Sequence, residues 1–269
     1  MYWLHTDETN LEPNQGTFFI YGGLIATPDQ MVGAHTLVQQ VRAKYGFTQG
    51  DSFKFQTASR PNRISIDDWS AAKAEAIEGA YKLGIKMMAY VVHHQIARNK
   101  TKDEKIEFAL NALLAHFDLR FLAAKDAYGA VCLDRLPEKF SYPYLEDMFR
   151  NGVNVEGRQV ALNRVMHYSV TSEGASHINT LVDLTLGGLR YCANACFGNG
   201  KPEVAANILP PISKMMWSTT APDGRLQIRD YGFLAYPKEV RAANLKKDYE
   251  TLRADLGRFS RDPKSANAV

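Results

Sequence analysis

Residues 2–27, YWLHTDETNLEPNQGTFFIYGGLIAT, decide the fold class. Residues 2–7 alternate large side chains and end on an acid. After the turn-rich LEPNQG, residues 17–27 carry aromatic and β-branched side chains and read as a long strand. Two such runs joined by a polar loop predict an antiparallel pair.

Outward from this pair, Pro28 stands where helices begin, and a helical pattern follows to residue 45. Residues 46–63, GFTQGDSFKFQTASRPNR, read as an exposed loop around a short extended piece. Asp67, Asp68 and Trp69 open an alanine-rich helix that runs to about residue 83, its acids complementing the macrodipole. IKMMAYVVH (85–93) reads as a buried strand, and a helix over about 103–125 follows. AYGAVCLD (127–134) is a third buried strand that again ends on an acid. Residues 143–150 form a short helix, and QVALNRVMHYSV (159–170) reads as one strand. Residues 172–197 form a long apolar helix with Asp183 inside it. Beyond residue 198 the pattern weakens into Pro-rich turns, then a charged helix over about 238–259. The last ten residues read as frayed. Strands first, then strands interleaved with helices, imply an α/β architecture whose mixed sheet is covered on both faces. No Gly/Ser linker or internal repeat divides the chain.

Hydrophobic content of 45% and charged content of 23% are those of an ordinary soluble globular protein. No apolar run reaches 18 residues, and the start lacks a signal peptide's basic and apolar stretches, so the expectation is a soluble cytoplasmic protein without a membrane partner. Three cysteines form no disulfide framework and suit a reducing compartment. Cys192 and Cys196 would share a helix face, and without two further ligands at a zinc spacing they read as core residues. The net charge of +3 is lower than a dedicated DNA-binding module carries, yet it permits a local groove for an acidic substrate.

Asp7 and Asp134 each follow an apolar strand, where open α/β sheets place their ligand sites. Asp183 lies among apolar neighbours, and a buried carboxylate is costly unless paired or bound to a cation. It binds a cation, faces solvent on a narrow polar stripe, or pairs with Arg190. Three carboxylates from separate elements, with no His or Cys nearby in sequence, suit magnesium or manganese.

These residues also resemble a family. DET followed by FFIYGGLIA is similar to the Asp-Glu-Ser-Gly opening and glycine-bearing strand of the domain of unknown function 3800 family. Lys54 in DSFKFQ resembles that family's lysine, Asp134 its strand-end acid, and SHINTLVDLTLGG its Ser-x-x-x-Gln-Leu-Ala-Asp helix. The matches run in order over about residues 5–190. The resemblance implies a ribonuclease H-like fold, a mixed sheet flanked by helices, over residues 1–200. Inserted helices belong to it, and a C-terminal helical extension, residues 201–269, packs on the same domain. It further implies a divalent-metal nuclease site in which Asp7 and Glu8 are the opening acids, Asp134 the middle acid and Asp183 the helix acid. Lys54 matches the lysine and Ser176 the serine. Thr9 and Asn10 stand where serine and glycine are usual, and Thr180 and Val182 replace the glutamine and alanine. Ser172 stands where an acid is expected, with Glu173 one residue late.

Two divalent ions about 3.5–4 Å apart activate a water and stabilise the leaving oxygen of an in-line displacement. Lys54 is then a phosphate contact or, in the plainer reading, a solvated lysine. Arg60 and Arg63, around Phe53 and Phe55, suit phosphate contacts and base stacking, or a solvated loop with its phenylalanines packed underneath. His177 is a proton shuttle or phosphate contact beside Ser176, or an ordinary surface or core histidine. The charges of the last helix alternate in sign, as on a solvated face with internal pairs. The glycine pairs Gly22-Gly23 and Gly187-Gly188 read as close packing of strand and helix.

The expected function is a metal-dependent nuclease acting on DNA or RNA. Two alternatives stand beside it: a nucleic-acid- or partner-binding module without turnover, and a hydrolase of a small phosphorylated substrate. The weakly patterned C-terminal region is a candidate interface between copies.

Overall fold

β1 (Tyr2–Thr9) and β2 (Phe18–Ala26) pair antiparallel, Thr9 opposite Ile20 and Trp3 opposite Ala26. The computed structural model describes residues 1–134, 142–171 and 174–258. Every residue of β2 is buried, which its unbroken apolar run requires of a strand covered on both faces.

α1 (Pro28–Lys44) starts on a Thr27 capping box with Pro28 in its first turn. α2 (Ile66–Lys82) starts on Ser65, whose side chain accepts the Asp68 N–H. β3 (Lys86–His93) pairs antiparallel with β2, and α3 (Lys102–His116) runs on into a π-helical turn, Phe117–Leu122. β4 (Gly129–Leu133) lies parallel to β1. α4 (Tyr142–Asn151) then leads into the hairpin β5 (Val153–Val155) and β6 (Arg158–Val160). β7 (Val165–Val170) pairs parallel with β4, so the single strand expected over 159–170 is two strands separated by the irregular residues 161–164.

α5 (His177–Ala195) is the long apolar helix, and α6 (Pro202–Met215) packs on it and on α2. A small ribbon, β8 (Thr219–Thr220) with β9 (Leu226–Gln227), precedes β10 (Phe233–Tyr236), which pairs parallel with β3 at the sheet edge. The final helix, α7 (Ala243–Gly257), begins later than the charge pattern implies. Lys246–Glu250 and Arg258–Asp255 are internal pairs of the expected kind.

The result is a six-stranded mixed sheet in the order β10-β3-β2-β1-β4-β7, flanked by helices. One face packs Phe18, Ile20, Leu24, Met87 and Val91 against α1, α2, α5, α6 and α7. The other packs Leu4, Phe19, Tyr21, Met88 and Tyr90 against α3 and the π-helical turn. Close approach explains two of the paired glycines. A Cβ at Gly22 would lie 2.6 Å from the Met88 carbonyl oxygen, and one at Gly187 would lie 2.4 Å from Phe55 Cβ. No described helix is long and apolar enough to cross a membrane.

Candidate functional site

The connections on the two sides of the β1–β4 boundary leave in opposite directions. β1 leads to β2 on one side, and β4 leads towards β7 on the other. Open α/β sheets place ligand sites beyond the carboxyl ends of strands at such a switch point. The pairing of β1 with β4 stops at Thr6–Leu133, whereas its pairing with β2 continues to Thr9. Asp7 is therefore held by β2 on one side and is open on the side where β4 has ended. Asp134 is the first residue beyond β4, and its N–H donates to the Thr6 carbonyl at 3.1 Å, keeping it beside Asp7.

Strand alternation assigns the faces. His5 reaches α5 through Asn179, so Asp7, two residues on, stands on the α5 face. Thr6 shares a 2.9 Å hydrogen bond with Tyr21 on the opposite face, and Glu8, paired with Tyr21, stands on that side. Asp7 and Glu8 thus lie on the two faces of β1 just beyond the end of its pairing with β4.

α5 contributes Asp183. Its Oδ2 accepts the backbone N–H of Phe55 at 2.6 Å, and its charge opposes the burial that brings the Lys73 ammonium down to about 8. Its charge also acts on half-buried Arg190. Lys73 in turn donates to the Phe55 carbonyl at 3.0 Å. Asp183 therefore sits in a cationic setting and anchors the loop between α1 and α2. Within that loop Phe53 and Phe55 are buried and Lys54 alternates with them, lining the cavity.

The cavity measures about 980 Å³ and is lined by Asp7, Glu8, Asp134 and Asp183 together with Lys54 and His177. Burial raises the Asp7 carboxyl first, then Glu8 and Asp134, with a smaller push from Asp183, against a 2.7 Å hydrogen bond from the Glu8 N–H. Glu8 is raised by burial and then by Asp134. Among the described residues, no group of three or more His, Cys, Asp or Glu is arranged to hold one metal ion. The acids share a rim without closing a single coordination sphere. Their chemistry, all hard oxygen donors with mutual repulsion at Asp7, suits a hard divalent cation.

The other residues expected at the site divide. His177 lines the cavity, its ring 4.7 Å from that of His35, and burial, His35 and Arg42 hold its imidazole below the ordinary value. Ser176 caps α5, its side chain accepting the Asn179 N–H. Arg60 and Arg63 do not line the cavity. Arg60 donates to the Ile64 carbonyl, and Arg63 pairs with Asp51 and donates to Thr48 Oγ1 at 3.1 Å. Both arginines brace the loop, and the phenylalanines pack beneath it. Ser172 and Glu173 lie outside the described residues.

Sequence reasoning missed Arg42, Asn179 and Lys73. Arg42 stands in the last turn of α1, where a cation is already explained by the helix dipole. It lines the cavity and donates to the Thr48 carbonyl at 2.7 Å. Asn179 donates to Thr171 Oγ1 at 2.8 Å, so its Oδ1 is left to accept from His5 Nδ1 at 3.1 Å. This chain of bonds ties β1 to the start of α5. No known protein-family model, curated protein or solved structure matches the chain.

Proposed function

We propose that this chain hydrolyses phosphodiester bonds of nucleic acid, with magnesium or manganese held by Asp7, Glu8, Asp134 and Asp183. One observation carries the reading. Three elements distant in sequence bring carboxylates to one cavity at the sheet's switch point, where burial and mutual repulsion push Asp7 up to about 8. A bound cation is often the largest charge in such a site and reverses that repulsion. When bound, divalent ions would activate water and stabilise the leaving oxygen.

The chain's own residues supply the rest. Lys54, held by buried Phe53 and Phe55, offers an ammonium to a phosphate oxygen. Arg42 of α1 offers a guanidinium in the cavity lining. His177, held largely neutral at pH 7, can accept a proton there. The ribonuclease H-like reading of the fold draws support from the same geometry, because the opening-acid and middle-acid strands are adjacent and parallel and the helix acid faces the same cavity.

The test uses the full chain with labelled single- and double-stranded DNA and RNA, in manganese and in chelator. Cleavage in manganese, abolished by chelator and reduced about 10²–10³-fold in Asp7→Asn and Asp134→Asn, is expected. Absence of cleavage, together with manganese binding unchanged in Asp7→Ala, overturns the reading. Binding of nucleic acid that ignores chelator, with no turnover, replaces it with a binding module. Hydrolysis of mononucleotides alone replaces it with a small-molecule hydrolase.

A further inference from the structure

The acidic cavity has an electrostatic problem with a polymeric substrate. Among the described residues, Asp7, Glu8, Asp51, Asp134 and Asp183 line it beside two permanent cations, Arg42 and Lys54, and Asp51 is paired with Arg63. Without divalent ions its described lining offers a polyanion little net positive charge, so a more basic surface elsewhere adds affinity for a nucleic-acid strand.

A second cavity of about 440 Å³ lies between β10 and α7 with the opposite balance. Arg229, Lys238, Arg241, Lys246 and Arg253 line it, against Asp230, Glu239 and Glu250. Two of those acids are engaged, Asp230 with Arg229 at 3.6 Å and Glu250 with Lys246 at 3.9 Å. Among the described residues, Lys238, Arg241 and Arg253 have no carboxylate partner. Arg253 is half-buried, which strengthens its attraction for an anion above that of a fully solvated side chain.

The sheet relates this cavity to the acids. Asp7 pairs with Gly22, Gly22 with Ala89, and Ala89 with Phe233, so Asp7 and Phe233 stand on one row across four strands. Three inter-strand spacings put their Cα atoms about 14 Å apart. Phe233 lines the second cavity. With one phosphate per about 3.4 Å of each strand, a nucleic acid needs on the order of four phosphates to cover that separation. The cavity's aromatic residues offer no stacking platform. Phe233 is buried, and Tyr249 is buried with its hydroxyl taken by the His93 N–H and the Tyr236 carbonyl.

We infer that the β10–α7 cavity is a phosphate-backbone site that holds a nucleic-acid strand whose continuation reaches the acidic cavity. Its arginines grip phosphate oxygens and read no base, so the site is indifferent to sequence. The inference rests on the nuclease reading for what the acids do to the strand, and its test is independent of turnover.

That test measures binding of the full chain to a labelled 20-nucleotide single-stranded DNA in chelator, across a salt series. Arg241→Ala/Arg253→Ala is expected to bind about tenfold more weakly, with its salt slope shallower by about 1.4, the value for two lost single-strand phosphate contacts. Arg120→Ala/Arg158→Ala, which removes two exposed arginines outside both cavities, is expected to bind as the parent does. Equal binding by the β10–α7 variant and the parent overturns the inference, as does an equal loss in the control variant. Weaker binding with an unchanged salt slope, or binding of the parent to anionic-lipid vesicles and not to the oligonucleotide, also overturns it. Asp7→Asn separates the two ideas: it is expected to lower cleavage about 10²–10³-fold and keep binding in chelator. Undiminished cleavage in Asp7→Asn sinks the assignment of the reaction to the Asp7 site, and no cleavage by the parent sinks the nuclease reading; either leaves the binding site standing.

Discussion

Asp183 and Phe55, 128 residues apart, are joined by a 2.6 Å hydrogen bond from the Phe55 N–H to the Asp183 carboxylate. The other end of the Phe55 residue is held by Lys73, which donates to its carbonyl and lies 4.5 Å from its ring centroid. The acid of α5 and the loop bearing Lys54 are thus positioned by one buried polar arrangement.

Asp183→Ala leaves the Phe55 N–H without its acceptor and Lys73 without a nearby anion. The expected destabilisation is about 1–3 kcal/mol, read as a lower urea midpoint with an unchanged slope. Asp183→Asn keeps an acceptor oxygen and is expected to recover much of that loss while staying defective in manganese-dependent cleavage. Equal stability losses in the two variants would show that the carboxylate's charge, rather than its hydrogen bond, holds the loop.

The raised Asp7 carboxyl makes metal-free stability fall with rising pH. Over the window from about 4 to about 8 the folded protein keeps a proton that the unfolded chain releases. The contribution is fully present below the unfolded value and is lost as pH climbs through the folded one. Asp7→Asn removes this contribution. In chelator its Tm is expected to gain on the parent between pH 5 and pH 8, and the residual slope belongs partly to Glu8, which is raised in the same sense. Tm curves that run parallel for the two proteins would contradict the electrostatic account. Manganese is expected to stabilise the parent most at the alkaline end, because carboxylate ligands must be deprotonated to bind.

Lys54 and Arg63 sit in the same loop, and the geometry gives them different roles. Lys54 lines the acidic cavity, whereas Arg63 pairs with Asp51 and lies outside it. Lys54→Met is expected to lower the cleavage rate about 100-fold with little change in Tm. Arg63→Met is expected to leave the rate within about threefold, since an exposed ion pair contributes only about 0.2–1 kcal/mol. The reverse ordering would place the substrate on the outer side of the loop.

Much of the fold is legible because its signals are local. β1 to β4 are apolar runs bounded by turns, and α1, α2 and α3 carry their own caps at Thr27, Ser65 and Thr101. The illegible parts lack local signals. α6 holds Pro210 and Pro211 in its interior and has no side-chain cap, so its sequence reads as turns although burial of Ile208, Leu209 and Ile212 stabilises it. β10 is four residues long and defined by its pairing with β3, well over 100 residues earlier.

At the site, the end of β4 announced Asp134, whereas Asp7, read as following a strand, lies inside β1 just past the point where its pairing with β4 stops. Helix periodicity could not choose among the readings of Asp183. Its hydrogen-bond partner comes from a loop that no periodicity places. Lys73 was hidden for the same reason, as a lysine in an alanine-rich helix whose function appears only when Phe55 arrives beside it.

Whether these carboxylates hold a metal is read directly by anomalous diffraction from crystals of the full chain soaked in manganese. A manganese peak in contact with the carboxylates of Asp7 and Asp134 and facing Asp183, lost in Asp7→Asn crystals, is expected. A manganese-free cavity at saturating concentration, or a peak that persists unchanged in Asp7→Asn, would contradict the metal-site reading.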